Sequence, residues 1–139
     1  GAWKIPDMDE SVAITTHKHE DISATGNQSL SIAISRRQNI NNITKRLCPS
    51  WNFDLIPLGS AALKACLVAE GAVDCYIRLG PTGEWDTGAS QVIVQQAGGC
   101  IVDSQFKPLT YNLRETLANP NFMVLGTPEI QWTQQIRCY

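Results

Sequence analysis

From Ser29 to the end of the chain, short apolar runs alternate with stretches of helix-forming residues, and this alternation restricts the possible folds more than any other feature. SLSIAISRR places Leu30, Ile32 and Ile34 at every second position, as in a half-buried strand. The polar segment that follows, as far as Cys48, suits a solvent-facing helix ended by Pro49. FDLIPLG predicts an apolar strand, and SAALKACLVAEG a helix that stops at Gly71. The pattern then returns. VDCYIRLG, CIVD and FMVLG read as strands, with a helix after Trp85, a loop through Asn119-Pro120-Asn121, and a last helix from Pro128, where proline suits a first turn. Strands alternating with helices predict a layered α/β domain.

The opening reads differently. Trp3-Lys4-Ile5, a Pro-Asp turn, and alternating Val12 and Ile14 predict a hairpin or two short strands, followed by a polar stretch around Ser23 to Gln28. Residues 1–28 are therefore read as strands and linker, and 29–139 as the α/β domain. A strand one residue from the start is an abrupt beginning, so the hairpin is expected to continue from something upstream. At 139 residues with 43% hydrophobic content, the chain suffices for one core. Its net charge of −2 comes from interspersed acids and bases, which offers no attraction to a nucleic acid polymer or an anionic membrane and points to small partners. Cys48, Cys66, Cys75, Cys100 and Cys138 form no CxxC pair and mostly sit among apolar residues, as buried thiols of a cytoplasmic protein do. The most apolar stretch, LIPLGSAALKACLVAEGAV, carries Lys64 and Glu70 and fails as a membrane span, although association with the inner membrane face stays open.

Asp86 stands between Trp85 and the start of a small-residue helix. Helical spacing places Ala89, Val92, Ile93, Gln96 and Ala97 on one face, and Gly98-Gly99 ends the helix. By itself Asp86 could simply cap that helix, accepting hydrogen bonds from free backbone amides. The whole string says more. Trp85-Asp86-x-x-Ala89-Ser90, an apolar run, and Ala97-Gly98-Gly99 resemble the second signature of the inositol monophosphatase superfamily, departing from it at Gly88, where alanine or cysteine is usual. The resemblance implies the C-terminal domain of an αβαβα fold, a mixed sheet flanked by helices. It also implies phosphate monoester hydrolysis with Mg2+ and Asp86 as a metal ligand, which suits a hard ion that prefers oxygen. The family's other ligand motifs, an acidic Glu-Glu segment and Asp-Pro-[Ile/Leu]-Asp-Gly-Thr, do not occur here; Asp7-Met8-Asp9 reads as a solvated turn. The resemblance thus covers these 139 residues but only the C-terminal half of the family's chain. The implied partner is the missing N-terminal half, and the chain alone is expected to be inactive, with no catalytic residue certain in it; a homodimer stays open.

Within the superfamily the chain most resembles the CysQ-type 3′(2′),5′-bisphosphate nucleotidases. The likeness rests on Ala33 to Arg37, Leu67 to Gly71, Tyr76 to Thr82, and most distinctively on Lys107-Pro108-Leu109-Thr110-Tyr111 with Arg114-Glu115 and Asn119-Pro120. It implies adenosine 3′,5′-bisphosphate as substrate. Arg78 stands where inositol-specific relatives carry a glutamate, and Lys64 where they carry an acid; both changes favour a second phosphate, which a guanidinium binds through paired hydrogen bonds. Ser35 and Arg36 match the family's Ser-Arg segment, whereas Gln38 replaces a histidine that touches the nucleotide in many relatives. Gly59, Ser60, Ala61 and Ala62 resemble a turn where substrate approaches a helix start, or else pack closely. Glu70 and Asp74 read as structural, His17 and His19 as a solvated edge, and Cys66 and Cys100 as core. The alternatives are an inositol or sugar monophosphatase and a noncatalytic nucleotide-binding fragment.

Overall fold

The computed structural model describes residues 1–7, 10–18 and 29–137. Met8, Asp9, His19 and Cys138, which the sequence singled out, lie outside the described residues. The elements run β1 (Ala2–Lys4), β2 (Val12–Ile14), β3 (Ser29–Ser35), α1 (Ile40–Thr44), β4 (Asn52–Leu58), α2 (Ala61–Ala69), β5 (Cys75–Arg78), β6 (Thr82–Gly83), a 3₁₀ turn (Glu84–Asp86), α3 (Gly88–Gln96), β7 (Cys100–Asp103), β8 (Ala118–Asn119), β9 (Phe122–Leu125) and α4 (Trp132–Gln135).

Five strands form one mixed sheet in the order β4-β3-β5-β9-β7. β3 runs parallel to β4 and β5, while β9 runs antiparallel to β5 and β7. β3, an interior strand, is covered on both faces, whereas the alternation predicts a strand buried on one. Leu30, Ile32 and Ile34 enter a core with Ile43 of α1 and Trp132 of α4, and Ala33 faces the opposite core with Ala65, Val68 and Ala69 of α2 and Val94 and Ala97 of α3. The alternation thus encodes size as well as polarity, large residues meeting the short helices and small ones leaving room for the long pair. On the far side of α2 and α3 lies the β1–β2 hairpin, with Ala2 in the same core and Trp3, Ile5 and Val12 exposed.

Three elements differ from expectation. α3 buries Ser90 and Val94 and leaves Ala89, Val92 and Gln96 exposed, because a helix of small residues has too little apolar contrast to choose its stripe. α1 is one short turn of Asn- and β-branched residues with weak helix propensity, after which the chain leaves to bridge Leu47 with Ile136. The last helix starts at Trp132, since Thr127 takes a left-handed φ of 43° and Pro128 lies in the turn that Ile130 N–H closes on Thr127 O. Gly98-Gly99 does end α3: Gly98 has φ 98°, and a Cβ on Gly99 would lie 2.6 Å from the Leu125 carbonyl oxygen.

Asp74, at the start of β5, holds the sheet together from one end. Its carboxylate accepts from Ser31 N–H and Oγ, both at 2.8 Å, and from Thr127 Oγ1 at 3.4 Å, and lies 3.0 Å from His17 Nδ1. His17 is therefore bonded to a buried acid and is not merely a solvated edge. No helix among the described residues is long and apolar enough to cross a membrane.

Candidate active site

Three adjacent strands, β3, β4 and β5, run the same way and finish at Ser35, Leu58 and Arg78, so the loops that follow them gather at one end of the sheet. That end is where parallel sheets bind ligands, because no strand continues there to fill the space. Ser60 starts α2 with φ 56°, and its Oγ accepts from Leu63 N–H at 3.2 Å. Its hydroxyl oxygen is thereby the helix cap.

Lys64, on the first turns of α2, is only 2% exposed and so is not a surface cation. Its Nζ donates to Ser60 O at 2.7 Å and Leu58 O at 3.2 Å, and sits 4.8 Å from the centre of the Tyr76 ring. Burial, and next the guanidinium groups of Arg78 and Arg36, lower its pKa to about 8. Three of the residues picked from the sequence therefore form one positive cluster, with a cation–π contact and, among the described residues, no carboxylate bonded to the lysine. Tyr76 and Arg78 are two apart on β5 and share a face, an alternation that could have drawn attention to Tyr76. The Tyr76 ring meets Phe122 edge-on with centroids 5.6 Å apart. Its hydroxyl is buried without a partner among the described residues, as are Arg78 Nε and Gln38 Nε2. Burial pushes the Tyr76 pKa up to about 12, Arg78 lowering it and Asp86 raising it by smaller amounts. Buried polar groups without partners are rare, and these three are all able to donate. Arg78 Nη2 donates to Pro81 O at 3.1 Å, Ser35 N–H donates to Gln38 Oε1 at 3.4 Å, and Arg36 is exposed.

Asp86 is near enough to Tyr76 to raise its pKa a little. It is half-buried in the 3₁₀ turn, where its Oδ2 accepts from Gly83 N–H at 2.9 Å. Asp86 does not cap α3. Thr87 holds the N-cap position, and its hydroxyl donates to Glu84 O. The carboxylate points back into its own turn and keeps Oδ1 without a hydrogen bond among the described residues. No group of three His, Cys, Asp or Glu able to hold a metal occurs among those residues. Glu70 is paired with Lys4 of β1, away from this end. Among the described cysteines only Cys75 is buried; Cys48 and Cys66 are half-buried and Cys100 is exposed, so Cys66 and Cys100 are not the core residues expected, because each ends up at the edge of its element and not beneath it, although partial burial raises both thiol pKa values. An open pocket of about 440 Å³ is lined by Asn42, Lys45, Arg46, Leu79, Gly80 and Asn121, none of them in this cluster.

Residues 9–134 match the inositol monophosphatase family. This chain belongs to that family. The 3′(2′),5′-bisphosphate nucleotidase CysQ of Haemophilus influenzae is 46% identical over 103 residues, which are 74% of this chain and 38% of that protein. The CysQ of Aggregatibacter actinomycetemcomitans is 42% identical over 112 residues, 81% of this chain and 41% of that one. Among solved structures, CysQ from Bacteroides thetaiotaomicron superposes with TM-score 0.58 at 35% identity, covering 76% of this chain and 40% of its own. Staphylococcal IMPase-II, 19% identical, shares the fold with TM-score 0.61 over 87% of this chain and 45% of its own. The chain spans about two-fifths of the length of these curated relatives.

Proposed function

We propose that this chain is the C-terminal portion of a Mg2+-dependent phosphatase that hydrolyses adenosine 3′(2′),5′-bisphosphate to AMP and phosphate. The observation that carries the reading is the buried Lys64, set among Arg36, Arg78 and three unpartnered donors, next to an aspartate with a free carboxylate oxygen. A buried cation without an acid is costly unless an anion arrives, and donors without acceptors in the same place ask for phosphoryl oxygens. The two CysQ relatives, nucleotidases by name, support the same class of substrate.

Asp86 fits the metal: its donor is a hard carboxylate oxygen, fixed by Gly83 N–H and left open on Oδ1. When bound, Mg2+ supplies Lewis acidity and lowers the pKa of a water it holds. The remaining ligands and the group that orients water come, in this proposal, from the half of the family's chain that precedes residues like these. Arg78 receives the second phosphate through its guanidinium, and Lys64 adds charge from below while its two carbonyl contacts keep it from swinging out. Ser35, Arg36 and Ser60, at or just past the ends of β3 and β4, complete the proposed substrate contacts. The free thiols Cys48, Cys66, Cys75 and Cys100 support a cytoplasmic protein. An inositol or sugar monophosphatase has no use for this double cation. A noncatalytic nucleotide-binding role is favoured only for the chain in isolation, whose described residues hold no group of three His, Cys, Asp or Glu able to bind a metal.

Arg78→Glu, in a protein that joins this chain to the N-terminal half of a CysQ relative, tests the reading. Loss of a charge-assisted pair and added repulsion should lower kcat/KM for adenosine 3′,5′-bisphosphate at least about tenfold more than for a substrate with one phosphate. Comparing the two substrates in one preparation cancels misfolding. An equal fall on both, or none, returns the single-phosphate substrates to contention.

A further inference from the structure

The segment most distinctive in sequence, residues 107–120, has no part in the chemistry above, yet it is bonded at many points to the turn that carries Asp86. Glu84, 6% exposed, lies at the centre. Its Oε1 accepts from Arg114 Nη2 at 2.8 Å and its Oε2 from Asn112 N–H at 2.9 Å, where Asn112 takes a left-handed φ of 55°. Its own N–H donates to Leu117 O at 2.8 Å. β6 and β8 pair through Thr82 with Asn119 and Gly83 with Ala118. Asn119 Nδ2 donates to Gly83 O at 2.8 Å and Thr87 Oγ1 at 3.0 Å, and Tyr111 OH reaches Gln91 Oε1 at 2.6 Å and Thr87 Oγ1 at 3.2 Å.

Gly83 joins this clamp to the carboxylate. Its C=O accepts from Asn119, and its N–H donates to Asp86 Oδ2. A turn of three residues has little rigidity of its own, so the direction of the Asp86 carboxylate depends on what holds Gly83 and Glu84 in place. We propose that Glu84 is a positioning residue whose buried carboxylate clamps residues 107–120 onto the Gly83–Thr87 turn and thereby aims Asp86. The aim matters for a metal only if Asp86 is the ligand, so the inference rests on the proposed function for its purpose but not for its mechanics.

Two measurements separate those parts. In the 139-residue chain without metal, Glu84→Gln keeps the shape but removes the charge that holds Arg114. Hydrogen exchange followed by NMR should then speed up at both Asn112 N–H and Gly83 N–H by at least about tenfold, with the β3 amides unchanged. Acceleration at Asn112 alone overturns the clamp. If Glu84→Gln does not fold, Arg114→Gln releases one arm from the more exposed side and should move the same two amides. In the protein joined to the N-terminal half of a CysQ relative, Glu84→Gln should raise the Mg2+ concentration for half-maximal phosphate release by about 10- to 100-fold, with kcat at saturating Mg2+ nearly kept. A fall in kcat at an unchanged Mg2+ midpoint overturns the aiming role. If the parent protein shows no Mg2+-dependent release at all, the reading of Asp86 fails, and the exchange experiment alone decides whether Glu84 fixes the turn.

Discussion

Lys64 has its pKa lowered to about 8, first by burial and then by Arg78 and Arg36, and the sign of that shift has two consequences. Between about pH 8 and the usual lysine value of 10.5 the unfolded chain binds more protons than the folded one, so the Lys64 contribution makes stability rise with pH across that window. A bound anion acts the other way. It favours the ammonium, raises the pKa, and draws a proton in on binding, so affinity should fall as pH climbs past about 8. Calorimetric titration with adenosine 3′,5′-bisphosphate across that range should show the fall, and Lys64→Met should flatten it; a level profile in the parent protein would remove Lys64 from the site. Tyr76, pushed up to about 12, stays a neutral donor throughout. Asp86→Asn is the matching test of the metal role. An amide oxygen can still accept from Gly83 N–H, so folding should hold while Mg2+-dependent phosphate release collapses in the joined protein. Retained activity at limiting Mg2+ would make the carboxylate a mere stay for its turn.

Among the elements, the ends of the parallel strands divide the work. One end gathers the cations and Asp86; the other is pinned by Asp74, which joins β3, β5 and the residue after Gly126 through Ser31 and Thr127. Asp74→Ala strands the Ser31 N–H and hydroxyl in a buried place. It should cost about 3 kcal/mol, seen as a lower denaturant midpoint at unchanged slope. A shift below about 0.5 kcal/mol would mean that water replaces the carboxylate without loss. The same scale shows where reading the chain fell short. The existence and order of the five sheet strands and of α2 and α3 follow from alternation, helix formers and glycine stops, all local properties, whereas the two-residue strands β6 and β8 do not, the second falling where the sequence predicts a loop through Asn119. The buried stripe of α3 does not, because Ser90 and Ala89 are nearly equal in size and only the contact with α2 and the sheet prefers one.

For the molecule as a whole, the proposed phosphate transfer would need a two-ion centre that one aspartate cannot assemble, and no group of three His, Cys, Asp or Glu able to hold a metal occurs among the described residues. The 139-residue chain alone should therefore release no phosphate from adenosine 3′,5′-bisphosphate in excess Mg2+; turnover of about 1 per second or faster would refute this. Its sequence by itself determined the alternating elements and, through motif likeness, the residues Asp86, Arg78, Lys64, Ser35 and Arg36 as a group worth finding. Only the tertiary structure decided that Lys64 is buried, that the Tyr76 hydroxyl lacks a partner, and that Glu84 holds a segment 28 to 30 residues further on. The reason is physical. Propensity and periodicity act within a few residues, whereas burial and hydrogen-bond partners are set by which distant stretches of chain the sheet brings side by side.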